Sequence, residues 1–129
     1  MPITGDMYAF TESNINNAPA EHGVYALYDN TPLVTEFSGP FPSMRRRREE
    51  LTIYIGRASG DEVTIRSRLK SHYRGDEGLC TVAATHYRRE VTSDPIARES
   101  ELLDEYEEKY GGLPHCQRAS ALQRMADLA

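Results

Sequence analysis

The chain predicts an α+β fold, in the order strand, long loop, strand, helix, strand, helix, tail. Three observations carry this expectation. Residues 22–29 and 51–56 are short runs rich in Val, Ile, Leu and Tyr with period-two alternation. Ile65, Leu69 and Tyr73 recur at four-residue spacing, as on one face of a helix. Ser93-Asp94-Pro95 is a helix start, and Gly111-Gly112 followed by Pro114 is a helix stop. At 129 residues with 39% hydrophobic and 27% charged content, the chain is expected to form one domain over 1–129, with a single core.

The elements follow in turn. His22 to Asp29 is the first strand, closed by the turn signal Asp29-Asn30-Thr31-Pro32. Thr31 to Glu50 carries three prolines and the run Arg45-Arg46-Arg47-Arg48, and is longer than a hairpin needs. Loops of this length are usually functional or mobile. Leu51 to Gly56 is the second strand, with Leu51, Ile53 and Ile55 on one face and Thr52, Tyr54 and Gly56 on the other. Gly60-Asp61-Glu62 opens the first helix, capped by Asp61 or by Ser59 in a box with Glu62. In Val63 to Tyr73 the buried stripe is Ile65, Leu69 and Tyr73, while Arg68 and His72 form a neighbouring pair at i, i+4. Thr81 to Val91 is the third strand, and a short Ala-rich helix is expected within 118–129.

The net charge is −5, but the charges are unevenly spread. Ser43 to Glu90 holds eleven Lys or Arg against seven Asp or Glu, and the first 42 residues hold five acids and no Lys or Arg. An acidic chain of this kind can still present one basic face. Cys80 and Cys116 lack metal-ligand spacing and would most simply be reduced thiols. No apolar run approaches a membrane span, and Met1 to Asp6 lacks the pattern of a signal peptide, so no membrane partner and a cytoplasmic location are expected.

One carboxylate stands out on physical grounds. Ile96, Leu102, Leu103, Tyr106 and Tyr110 define the apolar face of the last long helix, and Glu99 falls on that inward side. An inward acid must be paired, protonated or bound to a metal, because leaving it bare costs several kcal/mol. An arginine such as Arg68 is one partner the chain offers; a metal ion is the other.

Gly23-Val24-Tyr25, Tyr54-Ile55-Gly56, then Arg68 and His72, then Glu99 form an ordered series over about 23–117. This order resembles the GIY-YIG endonuclease family. The resemblance implies a small three-stranded antiparallel sheet flanked by helices, with a long loop between the first two strands and both tyrosines facing one site. It assigns Tyr25 to orienting or deprotonating the attacking water and Tyr54 to a hydrogen bond near the scissile phosphate. Arg68 would bind that phosphate, and His72 would assist Tyr25 or touch the phosphate. Glu99 would hold one divalent metal, Mg2+ or another such as Mn2+. Gly56 would leave room for the substrate backbone, and Arg57 and Gln117 would contact substrate. Gln117 stands where the family commonly has Asn in Pro-x-x-Asn, Arg57 stands where many members have Lys, and the first two triplets are set unusually far apart.

The chemistry is coherent with these residue types. Phosphodiester hydrolysis needs an activated water and neutralisation of charge on the phosphoryl oxygens. A phenol near pKa 10 needs positive charge beside it to act as a base at neutral pH. The expectation is therefore a metal-dependent DNA endonuclease or nickase, with DNA as partner. The alternative is a catalytically silent nucleic-acid-binding or protein-interaction module on the same fold. Cutting two strands with one site would require a homodimer, another protein partner or two encounters. The arginines of the 31–50 loop would either contact DNA or stay solvated.

Overall fold

The computed structural model describes residues 1–31 and 51–118. The elements are β1 (Tyr8–Ala9), α1 (Glu12–Asn16), β2 (Gly23–Tyr28), β3 (Thr52–Ala58), α2 (Ile65–Arg74), a 3-10 turn (Cys80–Ala83), β4 (His86–Val91) and α3 (Pro95–Tyr110). They form one antiparallel sheet in the order β1-β4-β2-β3, flanked by helices. The sheet has four strands where three were expected. The added β1 is two residues long and pairs Tyr8 with Tyr87 and Ala9 with His86, too short to produce any periodicity in the sequence. Residues 32–50, with most of the expected long loop and its arginine run, and residues 119–129, with most of the expected C-terminal helix, lie outside the described residues; helical backbone is present at 115–118.

β2 is buried along its whole length because it is central and both faces are covered. Tyr25 and Leu27 face a core shared with Ile15, Ile65, Leu69, Tyr87 and Cys116. Val24, Ala26 and Tyr28 face a second core with Ile55 and Leu102 of α3. β3 corrects a sequence expectation. Leu27 pairs with Tyr54 but Tyr28 pairs with Thr52, so Ile53 is an extra residue in a β-bulge. The bulge resets the alternation, and Leu51, Ile53 and Tyr54 all meet the first core while Ile55 meets the second. Tyr54 therefore shares a side with Tyr25.

The helix starts also differ in part. α2 begins at Ile65, capped by Thr64, whose hydroxyl accepts from Ser67 N while Ser67 Oγ accepts from Thr64 N. The residues 59–62 expected to cap it instead form a turn in which Glu62 takes a left-handed φ of 62°. Ile65, Leu69 and His72 are the buried positions of α2, and Tyr73 is exposed, edge-on to Phe10. α3 starts as expected, with Asp94 capping Ala97 N and Pro95 in the first turn, and it ends at Gly111 in the left-handed region. Ile96 is exposed, contrary to the expected apolar face, whereas Leu102 is buried. Arg98 anchors α3 to β4 through both oxygens of Glu90, at 2.6 and 3.1 Å.

Thr81 belongs to the 3-10 turn, so the fourth strand is shorter than the expected Thr81 to Val91. The cysteines are not reduced thiols. Cys80 and Cys116 are joined in a disulfide with Cα atoms 5.7 Å apart, tying the 3-10 turn to the 115–118 turn. Their separation of 36 residues and the absence of any motif around them concealed the pairing. No helix among the described residues is long and apolar enough to cross a membrane.

Candidate active site

Several of the predicted residues gather beside β3, one of the two outer strands of the sheet among the described residues. A cleft there is lined by Tyr54, Arg57, Arg68, Glu99, Leu103 and Gln117, with Ser59 and Val63 at its margin. It spans both layers of the fold. Tyr54 and Gly56 register with Leu27 and Tyr25 toward α2, while Arg57 registers with Val24 toward α3.

Tyr25 and His72 stand behind Tyr54, both nearly inaccessible to solvent. The Tyr25 hydroxyl lies 2.7 Å from His72 Nε2, and His72 Nδ1 lies 2.8 Å from Thr81 Oγ1. The Tyr54 ring packs on both, with centroids 4.9 Å from His72 and 6.2 Å from Tyr25. Burial drives the Tyr25 pKa well above its ordinary value, with the Arg68 guanidinium opposing the shift. Burial, and then the charge of Arg68, lowers the His72 pKa to about 3, so its ring is neutral at pH 7. His72 is thus a core histidine with both nitrogens committed.

Gly56 has a packing reason of its own. A Cβ built there would sit 2.5 Å from Tyr25 Cζ and Oη and 2.8 Å from Tyr54 Cε2. The missing side chain makes room for the two tyrosines. Gly23 is equally constrained, since its Cβ would fall 2.2 Å from the Glu90 carbonyl oxygen on β4.

Arg68 leaves the first turns of α2, and its Nη1 is paired with Glu77. Its Nε is buried and has no hydrogen-bond partner among the described residues. Burial alone would disfavour the charge, but Tyr25, Glu77 and Tyr54 outweigh it and raise the Arg68 pKa. Glu99 faces the cleft with its side chain 17% exposed, so it is inward, as its spacing predicted. Its partner is Arg57, at 2.7 Å, not Arg68. Arg57 also reaches Ser59 Oγ at 3.3 Å and keeps 43% of its side chain exposed.

Gln117 is committed to the main chain. Its Oε1 accepts from Ile55 N at 3.1 Å and its Nε2 donates to Ile55 O, so both amide atoms dock on the outer edge of β3. In this structure the amide expected to contact substrate is engaged with the main chain of Ile55. Thr81 and Glu77 are site residues that sequence reasoning missed. Thr81 was read as strand, and Glu77 lies nine residues past Arg68, beyond the helix-ending Gly75, where no helical spacing connects them.

Among the described residues, no group of three or more His, Cys, Asp or Glu side chains converges as a metal cage. The arrangement provides a carboxylate in the cleft, Glu99, a second one, Glu77, behind Arg68, an arginine with an unsatisfied buried donor, and a phenol–imidazole–hydroxyl chain. Comparisons with protein-family models, with curated proteins and with solved structures find no match for this chain.

Proposed function

We propose that this chain is a metal-dependent DNA endonuclease or nickase with a site of the GIY-YIG type. The observation that carries the reading is the unpartnered, buried Nε of Arg68 in a cleft that also holds Tyr54 and Glu99, with Tyr25 and His72 directly behind. A buried donor without an acceptor is costly, and a phosphate oxygen offers the missing acceptor. The fork of Arg68 would hold the phosphate and offset the charge that develops on it. Tyr54 would orient the phosphate from the neighbouring wall. Tyr25 is held protonated by its burial in the resting site, so its hydroxyl first positions the attacking water. It can act as a base only when more positive charge reaches the site.

Glu99 is the residue that would hold a divalent ion. A lone carboxylate fits magnesium, which binds through one or two carboxylates and retains several waters. When bound, such an ion would lower the pKa of a coordinated water and offset phosphate charge. Arg57 would then release at least one oxygen of Glu99 and become free to meet the DNA backbone.

A second reading rests on a different observation. All three charged residues lining the cleft are already paired internally, Arg68 with Glu77 and Glu99 with Arg57, as suits a silent nucleic-acid-binding or interaction module. Incubation with intact, nicked, branched and single-stranded DNA, with and without magnesium, separates the two. Metal-dependent cleavage that falls more than tenfold in Arg68→Lys supports the nuclease. DNA binding with no products on any substrate supports the silent module.

A further inference from the structure

Glu77 pairs with Arg68 Nη1 but is not among the residues that line the cleft, so it meets the guanidinium from behind. The chain is turned back to bring it there. α2 ends at Gly75 in the left-handed region, Asp76 N donates to Ser71 O at 2.9 Å, and Gly78 N donates to Gly75 O at 3.1 Å. Gly78 is left-handed as well, with φ of 101°, a conformation that glycine adopts without strain. Two residues further on, the Cys80–Cys116 disulfide fastens the chain. Glu77 thus stands on a turn bounded on both sides by fixed backbone.

Held in this way, Arg68 has its donors divided. A guanidinium carries five N–H groups in one rigid plane. Glu77 takes Nη1, the Tyr25 hydroxyl adjoins the group from the core, and Nε is buried with no acceptor. A long arginine stem samples many rotamers, and a carboxylate fixed behind it removes that freedom before a substrate arrives. Two roles are open to such a carboxylate: it could occupy the place of a phosphate and be displaced, or it could stay and aim the fork. Its absence from the cleft lining and the Nε left unpaired favour the second.

We propose that Glu77 is a positioning residue: from outside the cleft it fixes Arg68 Nη1, and so presents the remaining N–H groups of the guanidinium, Nε among them, to a phosphate oxygen. A fork aimed beforehand meets the charge developing on that phosphate without reorganising. This consequence rests on the proposed nuclease function; the fixing of the guanidinium does not.

The test reads binding and chemistry apart, on the whole chain. In Glu77→Ala, single-turnover cleavage at saturating DNA and magnesium should fall at least tenfold, while the dissociation constant for DNA stays within about threefold of wild type or tightens, because an acid has been removed. Glu77→Gln keeps an acceptor without the charge and should recover part of the lost rate. Asp76→Asn is the charge control: Asp76 adjoins Glu77 in the chain but pairs with the exposed Arg74, and its variant should cleave within about twofold of wild type. 15N NMR of the Arg68 guanidinium, without DNA, should show two distinct Nη signals in wild type and one averaged signal in Glu77→Ala. Cleavage by Glu77→Ala at or above the wild-type rate would make Glu77 a spectator or a competitor of phosphate, and overturns the proposal. A loss confined to DNA affinity, an equal fall in Asp76→Asn or an unchanged guanidinium spectrum also overturns it. If the Ala variant does not fold, Glu77→Gln is read in the same way. A wild-type protein that cuts nothing defeats the nuclease reading, while the guanidinium signals still decide whether Glu77 fixes Arg68.

Discussion

Replacing Tyr25 with Phe removes one oxygen from the centre of the site and leaves the ring in place. That oxygen is the sole partner of His72 Nε2, and both residues are fully buried. Leaving a buried polar group unsatisfied costs about 1–3 kcal/mol. With a urea slope of about 1–3 kcal/mol per M, the unfolding midpoint should drop by on the order of 1 M while the transition stays cooperative. The ring contacts with Tyr54 and His72 persist, so the sheet should remain folded. Activity should fall much further, by roughly 10²- to 10⁴-fold, the usual consequence of losing a group that activates the nucleophile. Tyr28→Phe is the control, because Tyr28 faces the second core on the other side of β2. Urea titration and single-turnover cleavage at saturating magnesium provide the two readouts. Equal cleavage by Tyr25→Phe and wild type would refute the catalytic role, and an unchanged midpoint would refute the buried hydrogen bond.

Other consequences are open to direct measurement. Glu99→Ala should abolish metal-dependent cleavage yet cost less than about 1 kcal/mol in stability, since its partner Arg57 is partly exposed; Glu101→Ala, facing solvent, should cleave normally, and an active Glu99→Ala would exclude the metal role. Reduction of the Cys80–Cys116 disulfide opens a cross-link between residues 36 positions apart and should lower stability by about 4 kcal/mol on the chain-entropy account. Two freely alkylated thiols in the folded, unreduced protein would contradict the bond. Because burial lowers the His72 pKa to about 3, the unfolded chain binds a proton near pH 6.5 that the folded chain does not. Stability from this group is whole above about pH 6.5 and is lost as pH falls toward 3, at up to about 1.4 kcal/mol per unit. His72→Gln should remove that component of the denaturation profile, and an unchanged slope would count against it.

The parts of the fold that could be read from sequence are those specified by local chemistry. Asp94-Pro95 and Gly111 mark the ends of α3 because capping and backbone conformation act within a few residues. Glu99 could be placed inward from its spacing to Leu102 alone, but its choice of Arg57 depends on how α3 lies across β3, which spacing does not encode. The bulge at Ile53 was hidden for a similar reason: a smooth alternation of Leu51, Ile53 and Ile55 looks like a regular strand, and only pairing with β2 exposes the extra residue. β1 and the disulfide arise from contacts between distant positions, Tyr8 with Tyr87, Ala9 with His86 and Cys80 with Cys116, with no local pattern at either end. Among the candidate site residues, Arg68 and His72 could be paired by helical spacing, whereas Thr81 entered the site only through the turn that follows α2.

The way Gln117 meets β3 bears on how this sheet behaves toward other chains. An outermost strand offers unpaired main-chain groups to which a foreign strand can add, and natural sheets blunt such edges by covering them. Here a single side-chain amide presents one donor and one acceptor to Ile55, copying what a neighbouring strand would present. Among the described residues, the cleft thus lies beside a sheet edge that is covered at Ile55 by a side chain and not by a strand. At that one position a side chain takes the place that the main chain of an added strand would need.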